Sequence, residues 1–198
     1  MNWLAAALVA AGYLLGSVSF ALWLVRWRTG TDIRATGSGN AGATNVLRAH
    51  GKRLALLVAL LDIAKGMAAV LLVRLVTADP RYAAAAGFAA ILGHVFPIFS
   101  GFRGGKGVAT AVGAFLALAP LAMAVCLAVF VAVVAVSRYV SLGSVVAVAL
   151  LPPAVSLLSS APRAVVAAAA ATAVLVIVKH VENLKRLALG RERKLGQK

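Results

Sequence analysis

The sequence predicts an all-α integral membrane protein, on three observations. Hydrophobic residues fill 63% of its 198 positions and charged residues only 13%, about half the share a soluble domain carries. The apolar residues fall in runs near the roughly 20 residues a membrane-crossing helix needs. Between the runs the chain is rich in Gly, Ser, Asn and basic residues, as connecting loops are. A net charge of +15 usually raises the question of nucleic acid, but a chain this apolar leaves too little polar surface for such a groove. The charge instead orients the chain in the bilayer and attracts anionic lipids and substrates.

The apolar runs cover residues 3–25, 54–76, 82–99, 108–137, 142–159 and 163–181. The first lacks a charged leader and is long enough to span, so it reads as a retained helix rather than a signal peptide. The second carries Asp62 and Lys65, spaced to share one helix face. Intramembrane charges turn inward, so the pair reads as a mutual salt bridge between packed helices, with substrate contact as the alternative. The fourth run is too long for one crossing. As a helix it would reach about 45 Å, against a hydrocarbon core of about 30 Å, so it either tilts or turns at Pro120. Cys126, the single cysteine, lies in this run as a small buried apolar residue, which excludes an intrachain disulfide or a zinc cluster.

Charge chooses between the two treatments of the fourth run. Basic residues concentrate between Arg26 and Arg53 and again from Lys179 onward, and the positive-inside bias puts both segments in the cytoplasm. Six spans would place them on opposite faces. A turn at Pro120 makes seven spans and brings both inside, leaving Arg74, Arg81 and Arg163 near the outer face. The expectation is therefore one transmembrane domain over 1–198: a seven-span bundle, N-terminus out and C-terminus in. Its short or re-entrant helix, near 108–119, would be shielded by protein.

Three polar segments then share the cytoplasmic side. The first, 35–48, carries Gly37, Ser38, Gly39, Asn40, Thr44, Asn45 and, where a helix begins, Arg48. Its glycines and hydroxyls suit a ligand-cradling turn, and arginine pairs with phosphate oxygens in bidentate fashion. An ordinary loop has a similar composition. The second, 99–110, contains Arg103, Gly104, Gly105, Lys106, Gly107 and Thr110, and a glycine nest with cationic side chains binds oxygen-rich anions. It is not a nucleotide P-loop, which needs Ser or Thr directly after the lysine, where Gly107 stands. No acidic cluster offers to hold Mg²⁺. His94, just upstream, reads as a packed residue more readily than as a catalyst. The third, 179–186, places His180 and Asn183 one helical turn apart; a basic exit helix lying on anionic lipid is the alternative. Glu182 lies on another face and suits a surface ion pair. These features reach a membrane-surface enzyme or carrier for phosphorylated metabolites, and stop short of the reaction.

At these same residues the chain resembles the bacterial acyl-phosphate:glycerol-3-phosphate acyltransferases, the PlsY family. Residues 37–45, 104–110 and 180–183 with Arg186, Leu187, Gly190, Glu192 and Lys194 are similar to that family's three cytoplasmic motifs, in order and across essentially the whole chain. Ala41 and Ser19 stand where the family commonly has proline. The resemblance implies a multi-pass enzyme of the bacterial inner membrane, its site facing the cytoplasm. It would move a fatty acyl group from acyl phosphate to the 1-hydroxyl of sn-glycerol 3-phosphate, without cofactor or metal, giving lysophosphatidic acid and phosphate for phospholipid synthesis. Carried over residue by residue, Ser38, Arg48, Lys106, His180 and Asn183 are the catalytic candidates. Gly37, Gly39, Asn40, Thr44, Asn45, Gly104, Gly105, Gly107, Thr110 and Ser141 are the substrate-binding candidates. Acyltransferases of the His-x4-Asp type are excluded, since Phe99 and Lys185 stand where His94 and His180 would need aspartate. A phospho-metabolite carrier would need repeat symmetry that is not evident, and a CDP-alcohol phosphotransferase would need more than the isolated Asp32, Asp62 and Asp79.

Overall fold

A computed structural model describes residues 3–197, and among them every regular element is helical. By internal contacts the chain forms two compact units, one running to Ala117 and the other from Leu118.

The first unit opens with α1 (Trp3–Ser17) and α2 (Phe20–Thr29), which together make one apolar span of 27 residues. The sequence expectation of a single helix is corrected here: the ladder breaks at Val18 and Ser19, where Ser19 is extended at φ −92° and ψ 91°. Gly16, Ser17 and Ser19 supply the usual cause of such a kink. Ser17 Oγ also turns back to the Tyr13 carbonyl at 2.9 Å. Gly30, left-handed at φ 72°, ends α2 by donating its N–H to the Arg26 carbonyl.

After a 3-10 turn at Ile33–Ala35 come α3 (Ala43–His50) and α4 (Lys52–Arg74), the latter of 23 residues. Next is α5 (Pro80–Val95), started by Pro80 and by the Asp79 carboxylate, which accepts the Arg81 N–H at 2.9 Å. The chain turns at Ile98–Ser100 and re-enters helix as α6 (Val108–Leu118). Helices α1, α4 and α5 pack mutually, and α3 lies on α4. Close approach depends on small residues: a methyl at Gly16 of α1 would overlap the Ala90 backbone of α5, and one at Gly113 of α6 the Ile63 carbonyl of α4. A cluster of Val25, Ile33, Ala41, Val46, Leu54 and Val58 forms the apolar floor beneath the first polar loop.

The second unit contains α7 (Pro120–Ser137), α8 (Val140–Leu158), α9 (Arg163–Lys179) and α10 (Val181–Ala188). Helix α8 packs against α7 and α9, and α10 touches both α8 and α9. Arg138 makes the α7–α8 turn in a left-handed conformation at φ 64°. The long apolar run does divide at Pro120, which takes the first position of α7 after a non-helical Ala119 at φ −149° and ψ 72°. Cys126 is buried and free.

Among the described residues five helical segments, α1–α2 counted as one, are long and apolar enough to cross a membrane, or six if the α9–α10 pair, bent by 54°, is one span. Helix α6 has 11 residues, about 17 Å at 1.5 Å per residue, roughly half a hydrocarbon core. This is a multi-pass membrane protein.

Candidate active site

In the first unit the polar loop from Asp32 to Gly42 folds around one side chain. Asn45, on the first turn of α3 and 1% exposed, donates its amide to the carbonyls of Ile33, Thr36 and Asn40 at 3.0, 3.0 and 3.1 Å. Its Oδ1 accepts the Ser38 N–H at 2.9 Å. A single buried amide therefore sets the path of the loop and presents the exposed Ser38 side chain. Gly37 and Gly39 both have left-handed φ, and a side chain on Gly37 would overlap Asn45 Oδ1. Thr44 is half-buried beside Asn45, and Asn40 keeps a buried Oδ1 without a hydrogen-bond partner. Arg48 is half-buried on the last turn of α3.

Two contacts join this loop to the second. Arg34 grips the Asp32 carboxylate with Nε at 3.1 Å and Nη2 at 2.7 Å while its Nη1 donates to the Ser100 carbonyl at 3.0 Å. The same guanidinium, by hydrogen bond and charge, holds the Asp32 carboxyl below its usual range. Gly105 is buried with its α-carbon facing the Ala41 carbonyl, so the residue standing in place of the family's proline forms part of the second loop's seat.

That second loop runs Gly104-Gly105-Lys106-Gly107 into α6. Gly105 donates its N–H to the His94 carbonyl at 3.1 Å, and Gly107, at φ 86°, offers its carbonyl to Ala111 N–H in the first turn. The half-buried Lys106 thus precedes a helix N-terminus, where unpaired N–H groups and the helix dipole favour anions. Thr110, on that first turn, is fully buried and its Oγ1 has no hydrogen-bond partner. The first unit therefore brings two of the three predicted segments together.

In the second unit the third segment is organised by Glu192. Its Oε1 accepts Asn183 Nδ2 at 2.6 Å and Ser141 Oγ at 2.9 Å, and its Oε2 accepts Arg186 Nε at 2.8 Å. Glu192 is 7% exposed. Burial alone raises a carboxyl pKa, but the hydrogen bonds from Asn183, Arg186 and Ser141 outweigh it and hold Glu192 below the ordinary glutamate range. The tail beyond it docks on the α7–α8 turn: Leu195 exchanges hydrogen bonds with Arg138 at 2.7 and 2.8 Å, and Lys194 lies over the Tyr139 ring. His180, at the α9–α10 bend, is buried, with Nδ1 at 2.7 Å from the Val176 carbonyl. A carbonyl only accepts, so Nδ1 carries a proton. Glu182 pairs with Lys185 at the surface, as its position on the helix suggested.

A sequence model for the family described as glycerol-3-phosphate acyltransferase matches residues 6–190. The chain belongs to that family. It is 50% identical over 186 residues to the glycerol-3-phosphate acyltransferase of Geobacter sulfurreducens, covering 93% of this chain and 94% of that one. It is 45% identical over 203 residues to the enzyme of that name from Halalkalibacterium halodurans, covering 100% and 97%. Among solved structures it superimposes on PlsY (YgiH), an integral membrane glycerol 3-phosphate acyltransferase in its glycerol 3-phosphate form. The TM-score there is 0.92 at 39% identity, with 97% of this chain and 96% of that chain covered. The lysophosphatidic acid form of the same protein gives a TM-score of 0.89 at 38% identity.

Sequence reasoning did not single out the organisers of these segments. Arg34 was visible as a basic residue two positions from Asp32, a spacing that permits the bidentate pair; its reach to Ser100 was not. Glu192 appeared as part of a motif, with nothing to show that Ser141, Asn183 and Arg186 all address it.

Proposed function

We propose that this chain transfers a fatty acyl group from acyl phosphate to the 1-hydroxyl of sn-glycerol 3-phosphate, releasing lysophosphatidic acid and phosphate. The observation that carries the reading is the Gly104–Gly107 loop running into α6, a cationic anion seat at the end of a membrane helix. Both substrates bear a phosphate, and one bears a chain that dissolves in lipid. Family membership supports the acceptor. Acyl phosphate as donor agrees with a chain whose candidate residues are phosphate-binding types and which carries no nucleotide loop. We place the enzyme in the bacterial inner membrane as seven spans including the short α6, N-terminus out, with the three polar segments on the cytoplasmic face.

In this account Lys106 and the N–H groups of the loop hold a phosphate and stabilise charge as it develops, and Arg48 clamps a phosphate. Ser38 and Asn183 orient substrate groups by hydrogen bonds. Asn45 and Ser141 act at one remove, the first by shaping the Ser38 loop and the second by holding Glu192. The acceptor hydroxyl oxygen bonds to the acyl carbon as the bond from that carbon to the phosphate oxygen breaks. Phosphate is already a good leaving group, so positioning supplies much of the rate. The hydroxyl proton passes to a substrate phosphate oxygen, while His180, protonated at Nδ1, orients the acceptor through Nε2. Turnover by purified Lys106→Ala and His180→Gln tests these roles. Lys106→Ala should be inactive and His180→Gln should keep measurable turnover; an inactive His180→Gln that still binds substrate would make His180 the base.

A further inference from the structure

One buried cluster lies outside the roles above. Asp62 of α4 has its Oδ1 2.8 Å from Lys65 Nζ and 3.4 Å from Nδ1 of His94, on the last turn of α5. The salt bridge expected from the sequence is therefore present, and the His94 ring lies against its carboxylate. Lys65 turns its remaining capacity to the Val18 carbonyl at 2.8 Å, the acceptor freed by the α1–α2 break, and lies 5.6 Å from the Phe20 ring centre. All three side chains are at most 6% exposed.

The other side of His94 faces the anion loop. Its carbonyl accepts the Gly105 N–H at 3.1 Å. A methyl on Gly104 would overlap that carbonyl, and a methyl on Gly105 would overlap ring Nε2. Neither glycine has a left-handed φ, so torsion does not call for glycine at these places. Space does, and His94 occupies it.

We propose that His94, packed with Nδ1 beside Asp62, is a positioning residue that seats the Gly104–Gly105 backbone and thereby sets where the N–H groups of the loop meet a phosphate. The proposal rests on the reading of this loop as a phosphate seat. A ring edge against a bare α-carbon leaves the loop one path, and the buried Asp62 carboxylate 3.4 Å from Nδ1 favours the ring orientation that keeps an N–H on that side. With the ring removed, Gly104 and Gly105 gain freedom to move, and the phosphate is held less well in ground and transition states alike. Uniform loss of binding raises KM and leaves kcat nearly unchanged.

The test is steady-state kinetics of purified His94→Ala, His94→Asn, His94→Gln and Lys106→Ala, with KM measured separately for glycerol 3-phosphate and acyl phosphate. Asparagine places an N–H donor where Nδ1 stands and can face Asp62; glutamine reaches instead toward the Nε2 position. The expected result is a KM at least tenfold higher in His94→Ala for one of the two phosphate substrates, with kcat within about threefold. His94→Asn should return that KM to within threefold of wild type and His94→Gln should not. If His94→Ala does not fold, the Asn and Gln variants carry the comparison. Equal kinetics for Asn and Gln, or an unchanged KM in a folded His94→Ala, overturns the proposal while an inactive Lys106→Ala leaves the loop reading standing. A Lys106→Ala enzyme with wild-type kinetics overturns both.

Discussion

Replacing Glu192 with alanine should release the C-terminal segment from the second unit while leaving the apolar helices intact. The carboxylate accepts from three donors. Ser141 and Asn183 are buried, and each loses a charged acceptor, at about 1–3 kcal/mol per unsatisfied buried donor. The Arg186 side chain is 43% exposed, so its contact is solvent-screened and adds no more than about 1 kcal/mol. Toward the low end of these ranges the total is about 3 kcal/mol, or roughly a hundredfold in the equilibrium for local opening. Amide hydrogen exchange in detergent reads it directly, because the Arg191 and Leu195 N–H groups are held by the Arg186 and Arg138 carbonyls. Both should exchange about a hundredfold faster in Glu192→Ala. Glu192→Gln keeps an acceptor for Ser141 and Asn183 and should show about a tenfold change. Acid should act like the mutation. The folded carboxyl titrates below its ordinary value, near 4.3, so its contribution is complete above that pH and is lost as pH falls through the lowered folded value. Exchange at Leu195 that is unchanged in Glu192→Ala, after correction for intrinsic rates, would refute this reasoning.

Three further changes test the first unit. Asn45→Ala removes one acceptor and one donor amide that serve four loop partners; about 1 kcal/mol each net predicts a loss of roughly 2–4 kcal/mol in thermal unfolding, with faster proteolysis within 36–42. Gly113→Ala puts a methyl into the Ile63 carbonyl and should destabilise by about 1–3 kcal/mol through overpacking. Gly42→Ala meets nothing closer than 3.9 Å and should leave the melting temperature unchanged.

Local pattern and tertiary arrangement were not equally legible in the sequence. Apolar runs mark helices because a bilayer demands continuous apolar surface, and Pro120 marks the division of the longest run because it suits a first helical position. Asp62 and Lys65 were readable as a pair because three residues of helix put them on one face. The break at Val18 was not, although Gly16 and Ser17 hinted at it; its freed carbonyl is taken by Lys65, 47 positions away. His94 and Asp62 are likewise separated by most of α5 and by the α4–α5 connection. The candidate loops were conspicuous by composition, whereas the residues that shape them, Asn45, Arg34 and Glu192, reveal their work only through long-range hydrogen bonds. Asn45 was noticed as a ligand type and proves to be engaged by its own loop.

The central claim is acyl transfer to glycerol 3-phosphate at a loop centred on Lys106. Purified protein in lipid, given labelled glycerol 3-phosphate and either acyl phosphate or acyl-CoA, tests it most directly. The account predicts labelled lysophosphatidic acid with acyl phosphate, and its loss in Lys106→Ala. Failure to form that product with either donor, or full turnover by Lys106→Ala, would contradict it.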